Sequence, residues 1–171
     1  MKVLCFFPIS LNVEDTVLFN NQQLVNNKKR LQQYVNGIDK FLNFNKNNIL
    51  NKIIDVVISD NTFTSSVKFP EDITNIIKKY DLLDYVTIIT HNNNKYGKYN
   101  KGCGIIEQWI YSKNLIKQYA WFIHFEPRQI LNSNNFIETF INNKTNLFTF
   151  GAGNNHFNTG LFTINAETLF N

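Results

Sequence analysis

Residues 118–131 read QYAWFIHFEPRQIL, an apolar run that stops on His124, Phe125, Glu126, Pro127 and Arg128. The segment from Ala120 to Phe125 is short, aromatic and apolar, and it reads as a strand buried in a core. An imidazole, a carboxylate and a guanidinium crowd its end. A core strand that finishes this way puts chemistry on the rim of a sheet, and the rest of the chain can be ordered around that rim.

Strand and helix signals alternate on both sides of this segment. KVLCFFP (2–8), IIDVVISD (53–60) and YVTIIT (85–90) read as three earlier strands, and NLFTFGA (146–152) and GLFTIN (160–165) as two closing ones. Between them, residues 21–46 set Leu24, Leu31, Tyr34, Val35, Ile38, Phe41 and Leu42 near helical spacing. PEDITNIIKKY (70–80) is a short helix with acids in its first turn and lysines in its last, where the helix dipole favours them. GIIEQWIYSKNLIKQ (104–118) predicts one further helix, and SNNFIETFINN (133–143) another, capped by Ser133 or Asn132. This alternation predicts an α/β domain with a largely parallel sheet flanked by helices. No linker or repeat interrupts it, so residues 1–171 are expected to form one domain. The Asn-Lys tract 92–101 is expected to be a functional or mobile loop.

Composition narrows the partners. The chain is 43% hydrophobic with 16 Phe, which argues against disorder despite 29 Asn, and that excess of Asn leaves each one little individual weight. A net charge of +4 suits an anionic partner such as a nucleotide, a nucleic acid or a membrane surface. Two Cys allow no disulfide framework and no four-Cys zinc site, which points to a reducing compartment. The opening MKVLCFFPIS breaks at Pro8 before a signal segment could form, and no run approaches a membrane span. A soluble, cytoplasmic chain is the expectation.

In an open α/β sheet, ligands bind outside the carboxyl ends of the strands. The predicted ends are polar: FFPIS, ISDN with Asp60 and Asn61, ITHNNN, and HFEPR. Asp and Asn also serve as turn and cap residues, so Asp60 has a structural reading beside the functional one. The segment NKYGKYNKGCGIIEQW (94–109) leads into a helix with Lys95, Lys98, Lys101 and glycines, which suits a phosphate unless it is only a solvated loop. It is no P-loop, and a dinucleotide fingerprint would need glycine where Glu107 stands. His124 and Glu126 lie two apart on an extended chain and face one way, so they can share a divalent metal, while Arg128 can meet a diphosphate directly. The structural alternative is a Glu126–Arg128 ion pair with His124 as a buried donor.

The order of these pieces resembles the nucleotide-sugar glycosyltransferases of the GT-A fold, a resemblance that makes the expected α/β domain a Rossmann-like GT-A domain. The resemblance implies that Pro8 and Ile9 lie beside the nucleotide and that Asp60 and Asn61 meet its base or ribose. It implies that Lys101, Gly102 and Gly104 meet phosphate, and that Glu126, with His124 through Mn²⁺ or Mg²⁺ and with Arg128, holds the diphosphate. His-Phe-Glu here replaces the group's Asp-x-Asp. HFNTGLFTINAETL (156–169) looks like the strand that, in this group, passes the end of the metal-motif strand, which would bring His156 or Asn158 near Glu126 and the sugar. Glycines and paired Asn at 151–155 fit a plain turn equally well. The chain stops 11 residues past Gly160, with Glu167 the only carboxylate downstream, so it is expected to be part of a longer polypeptide or to have a minimal acceptor site. The implied function is transfer of a sugar from a nucleoside-diphosphate sugar to a glycan or other hydroxyl. The alternatives are a non-catalytic single-stranded nucleic-acid module using the Lys/Tyr loop, or a nucleotidyltransferase. Nucleic acid is not the expected partner.

Overall fold

The structure, a computed structural model, describes residues 2–13, 27–63, 68–150 and 157–171. Its sheet has six strands: β1 Val3–Ile9, β2 Ile54–Asp60, β3 Val86–Thr90, β4 Trp121–Phe125, β5 Leu147–Phe150 and β6 Phe157–Asn165, in the order β3-β2-β1-β4-β6-β5. The first four are mutually parallel, with β1 paired to β2 and β4 and β2 paired to β3. β6 runs antiparallel to both β4 and β5, so the sheet is mixed. Six residues separate β5 from β6, too few for the crossover that a parallel neighbour needs.

β1 is buried along its whole length, as a strand covered on both faces must be. Val3, Cys5, Phe7 and Ile9 enter one apolar cluster with helices α1 (Asn27–Leu50), α2 (Glu71–Lys79) and α5 (Asn135–Asn143). Leu4 and Phe6 enter a second, beneath α3 (Lys101–Tyr111) and α4 (Lys113–Ile116). The first cluster centres on Phe7, Phe41 and Phe125, whose ring centroids lie 4.8 to 5.4 Å apart. Truncating such a residue to Ala costs about 3–5 kcal/mol, so the end of β4 is anchored from below.

Two helix boundaries differ from expectation. The helix predicted over 104–118 starts at Lys101, because Asn100 is extended and its Oδ1 accepts the Gly102 N–H at 2.8 Å, an N-cap. It also breaks at Ser112 into α3 and α4. α5 begins after Asn134 with no side-chain cap, so neither Ser133 nor Asn132 caps it. Asn134 Oδ1 instead accepts from Asn45 of α1 at 2.9 Å, which ties the two helices together.

The strand order fixes where a cleft can open. The chain moves from β1 to β2 and β3 on one side, then returns through α3 to place β4 on the other side of β1. The order reverses between β1 and β4, the position where an open α/β sheet leaves a crevice. Pairing of β1 with β4 ends at Phe6 and His124, and beyond it the two ends part. No helix of the described residues is long and apolar enough to cross a membrane.

Candidate functional site

A cleft of about 620 Å³, counted to its solvent-open mouth, lies over the parting ends of β1 and β4. Its walls come from helices on opposite faces of the sheet. α1 supplies Arg30 and Tyr34, one turn apart, and α3 supplies Lys101, Gly104, Ile105 and Gln108, whose spacing puts them on one helix face. Pro8 and Ser10 close it from β1, Glu126 and Arg128 from the turn after β4, and Asn94 and Gly97 from the loop before α3.

Glu126 is the centre of its charge. Its side chain is 8% exposed, and Oε2 receives the Lys101 ammonium at 2.5 Å with the Arg128 guanidinium 3.7 Å away. The turn that aims it is rigidly seated. Glu126 N–H donates to the Gly160 carbonyl at 2.7 Å, and Gln129 N–H closes the turn on the Glu126 carbonyl at 3.0 Å. Beneath it, Gly37 of α1 lets the helix touch the turn, since a Cβ there would lie 1.9 Å from the Pro127 carbonyl oxygen. Arg30 supplies a third cation and donates from Nε to the Ser10 carbonyl, while the Tyr34 hydroxyl accepts the Ser10 N–H at 3.2 Å. The chain has 17 basic residues but only two arginines, and both line this cleft. Arginine is the side chain best shaped for phosphate and carboxylate oxygens.

The structural alternative for HFEPR describes part of what is found, because Glu126 and Arg128 do pair. His124 faces the second apolar cluster, stacked on Phe162 at 4.9 Å and edge-on to Trp109 at 5.2 Å, and its Nδ1 is sealed from solvent with no hydrogen-bond partner among the described residues. Burial, with the Lys101 charge adding to it, pushes its pKa down to about 3, so the ring stays neutral. The expected His124–Glu126 metal site does not fit these surroundings. Two cations already flank Glu126, and among the described residues no group of three His, Cys, Asp or Glu stands together.

Several other expected ligands prove to be committed elsewhere. Asp60 is fully buried, and its oxygens accept from Leu11 N–H at 2.9 Å, Thr62 N–H at 2.7 Å and the Thr62 hydroxyl at 2.6 Å. Burial pushes its carboxyl up to about 6, against the pull of those bonds and of Arg30. Asn61, also buried, accepts from the Ser10 hydroxyl and donates to Asn94 and to the Gly104 carbonyl. Both residues brace the rim and neither lines the cleft. Ile9 is buried and offers only its carbonyl, to Gln108 Nε2 at 3.1 Å. The phosphate-binding amides expected of Gly102 and Gly104 already donate to Asn100, to Oδ1 and to the carbonyl respectively. Gly104 has a packing task instead, for a Cβ there would press on Gly97 Cα at 2.9 Å. Glu107, standing where a fingerprint would need glycine, accepts the Tyr96 and Gly97 N–H groups and holds the loop.

Asn158 lies in β6 and exchanges hydrogen bonds with Gln129, on the turn that begins at Glu126. His156 lies outside the described residues. Glu167 belongs to the opposite end of the sheet, since its neighbour Ala166 donates to Ala120 at the start of β4, and so it cannot serve this cleft as a base. Of the residues expected at the site, the structure brings together Pro8, Lys101, Gly104, Glu126 and Arg128. Sequence reading missed Ser10, Arg30, Tyr34 and Gln108. The scarcity of arginine was the available signal for Arg30. Gln108 gave none. No family model, no curated protein and no solved structure matches this chain.

Proposed function

We propose that the chain is a nucleotide-sugar glycosyltransferase of the GT-A kind, moving a sugar from a nucleoside-diphosphate sugar to a hydroxyl acceptor. The observation that carries this reading is the convergence of Lys101, Arg128 and Arg30 on a cleft at the carboxyl ends of β1 and β4, around a nearly buried Glu126. In such a transfer the bond from the sugar C1 to the diphosphate oxygen breaks, and its electron pair leaves with the diphosphate. The acceptor oxygen bonds to C1 and passes its proton to the departing diphosphate or to water. Negative charge therefore grows on the leaving group, and cations held ready for it lower the barrier without rearranging. The Arg128 fork can grip two phosphate oxygens, and Lys101 adds a point charge. Glu126 positions both. The pairing of β6 with β4, which brings the Gly160 carbonyl onto Glu126 N–H, is also what the resemblance implies for the FNTG strand.

The test is incubation with a panel of nucleoside-diphosphate sugars, measuring free nucleoside diphosphate. Release from at least one donor, lost in Arg128→Gln, is expected; a panel left wholly intact would contradict the reading. One observation favours a second reading. Tyr96 and Tyr99 are exposed, each with a lysine ammonium 5.1 Å from its ring, an arrangement that can stack the bases of a single strand. That reading predicts oligonucleotide binding that falls steeply with salt and ignores Arg128→Gln.

A further inference from the structure

If the cleft holds a diphosphate, something must neutralise it. A divalent ion needs carboxylate oxygens free to coordinate it. Among the described residues the one carboxylate lining the cleft, Glu126, is already shared by an ammonium at 2.5 Å and a guanidinium at 3.7 Å, and both repel a further cation. The His124 imidazole is packed among Phe162, Phe122 and Trp109. The two cations come from the first turn of α3 and from the turn after β4, and both line the cleft.

Resting on the reading above, we propose that the diphosphate binds directly to Lys101 and Arg128 with no divalent cation between ligand and protein, and that Glu126 is their placeholder. In the empty cleft Glu126 keeps the two cations from dispersing into solvent. When a diphosphate arrives, it takes over their charge and Glu126 becomes a like-charged neighbour. The seated turn then has a clear task. Gly37 beneath Pro127, and the bond from Glu126 N–H to Gly160, hold the carboxylate where it can set both cations yet not retreat from the ligand.

This assignment reverses the sign of one substitution. In a metal site Glu126→Gln removes the ion's anchor and the diphosphate with it. In a site built on side-chain cations it removes a competitor, while the amide oxygen still accepts from Lys101. The test is calorimetry of uridine and guanosine diphosphates against the whole chain and three variants, in EDTA and in Mn²⁺, on protein shown to be folded by its melting transition. The account expects binding in EDTA within about threefold of that in Mn²⁺. It expects Glu126→Gln to bind at least threefold tighter, and Lys101→Met and Arg128→Gln each at least tenfold weaker. Binding that appears only with Mn²⁺ and vanishes in Glu126→Gln would overturn the inference and leave glycosyl transfer standing as a metal-dependent reaction. Folded protein that binds neither diphosphate in either condition would remove both.

Discussion

The ends of β2 and β4 carry similar residues and do different work. After β2, Asp60 and Asn61 are fully buried and spend their hydrogen bonds on Leu11, Thr62, Ser10, Asn94 and Gly104. After β4, Glu126 is nearly as buried, yet the charges around it exceed what it can neutralise, and they face a cleft. One end is closed and braces the rim; the other keeps charge in reserve. In the proposed reading a polar strand end becomes a site only when its neighbours leave charge or bonding capacity unspent, and the residue types alone do not decide that.

The largest expected difference between the two ends is in turnover. Lys101→Met with Arg128→Gln should lower release of nucleoside diphosphate from the donor by about 100-fold or more, the scale of losing preorganised charge stabilisation. The double change leaves the nearly buried Glu126 carboxylate without its cations, so the fold should also lose about 1–3 kcal/mol. Denaturant melts beside initial rates separate the two quantities.

Asp60→Asn should cost stability with little loss of turnover. It leaves Leu11 N–H or the Thr62 donors facing an amide NH₂, at a cost of about 2 kcal/mol in stability. Donor turnover should fall less than tenfold.

Acid sharpens the contrast, because the two buried groups titrate with opposite signs. His124 is held neutral, with a pKa of about 3 in the fold against an ordinary value near 6.5, so its contribution is complete above 6.5 and is lost as pH falls toward 3. Asp60 is raised to about 6 from 3.8, so its contribution is complete below 3.8 and is lost as pH rises through 6. Between pH 7 and 5 the two oppose each other. Relative to wild type over that range, Asp60→Asn should lose roughly 1 kcal/mol more on acidification, and His124→Phe should lose roughly 2 kcal/mol less. Urea melts at the two pH values give both differences.

The smallest effect belongs to Gly160→Ala. Its Cβ would fall 1.7 Å from Gln129 Nε2, the free end of a flexible side chain that can swing aside. Losing the Gln129–Asn158 pair should cost about 1 kcal/mol or less, with donor affinity changed by less than threefold.

The parallel half of the fold was legible because buried strands announce themselves. VLCFFPI, IDVVISD and WFIHF are short apolar runs closed by polar residues, and helical spacing separates them. The placement of β6 beside β4 was legible only through the resemblance, since nothing local in FNTGLFTIN names its neighbour. The site was half legible for a similar reason. Lys101, Glu126 and Arg128 carry charge that the fold leaves usable, and they could be read off. Asp60, Asn61 and the Gly102 amide looked equally able to bind, but their partners come from 49, 51 and two residues away, and only the folded chain shows those bonds to be taken. Arg30 and Tyr34 hide within a long helix whose apolar face gives no sign that its first turns border a cleft.

The central claim is that ligand binds at the end of β4 and not at the end of β2. Amide shifts in a ¹⁵N spectrum, followed while a nucleoside diphosphate is titrated in, test it most directly. The account predicts the largest changes at Lys101 to Gly104, Glu126, Arg128, Gln129 and Ser10, with much smaller ones at Asp60 and Thr62 at the end of β2. Changes centred instead on Asp60 to Thr62, or no changes at saturating ligand, would contradict it.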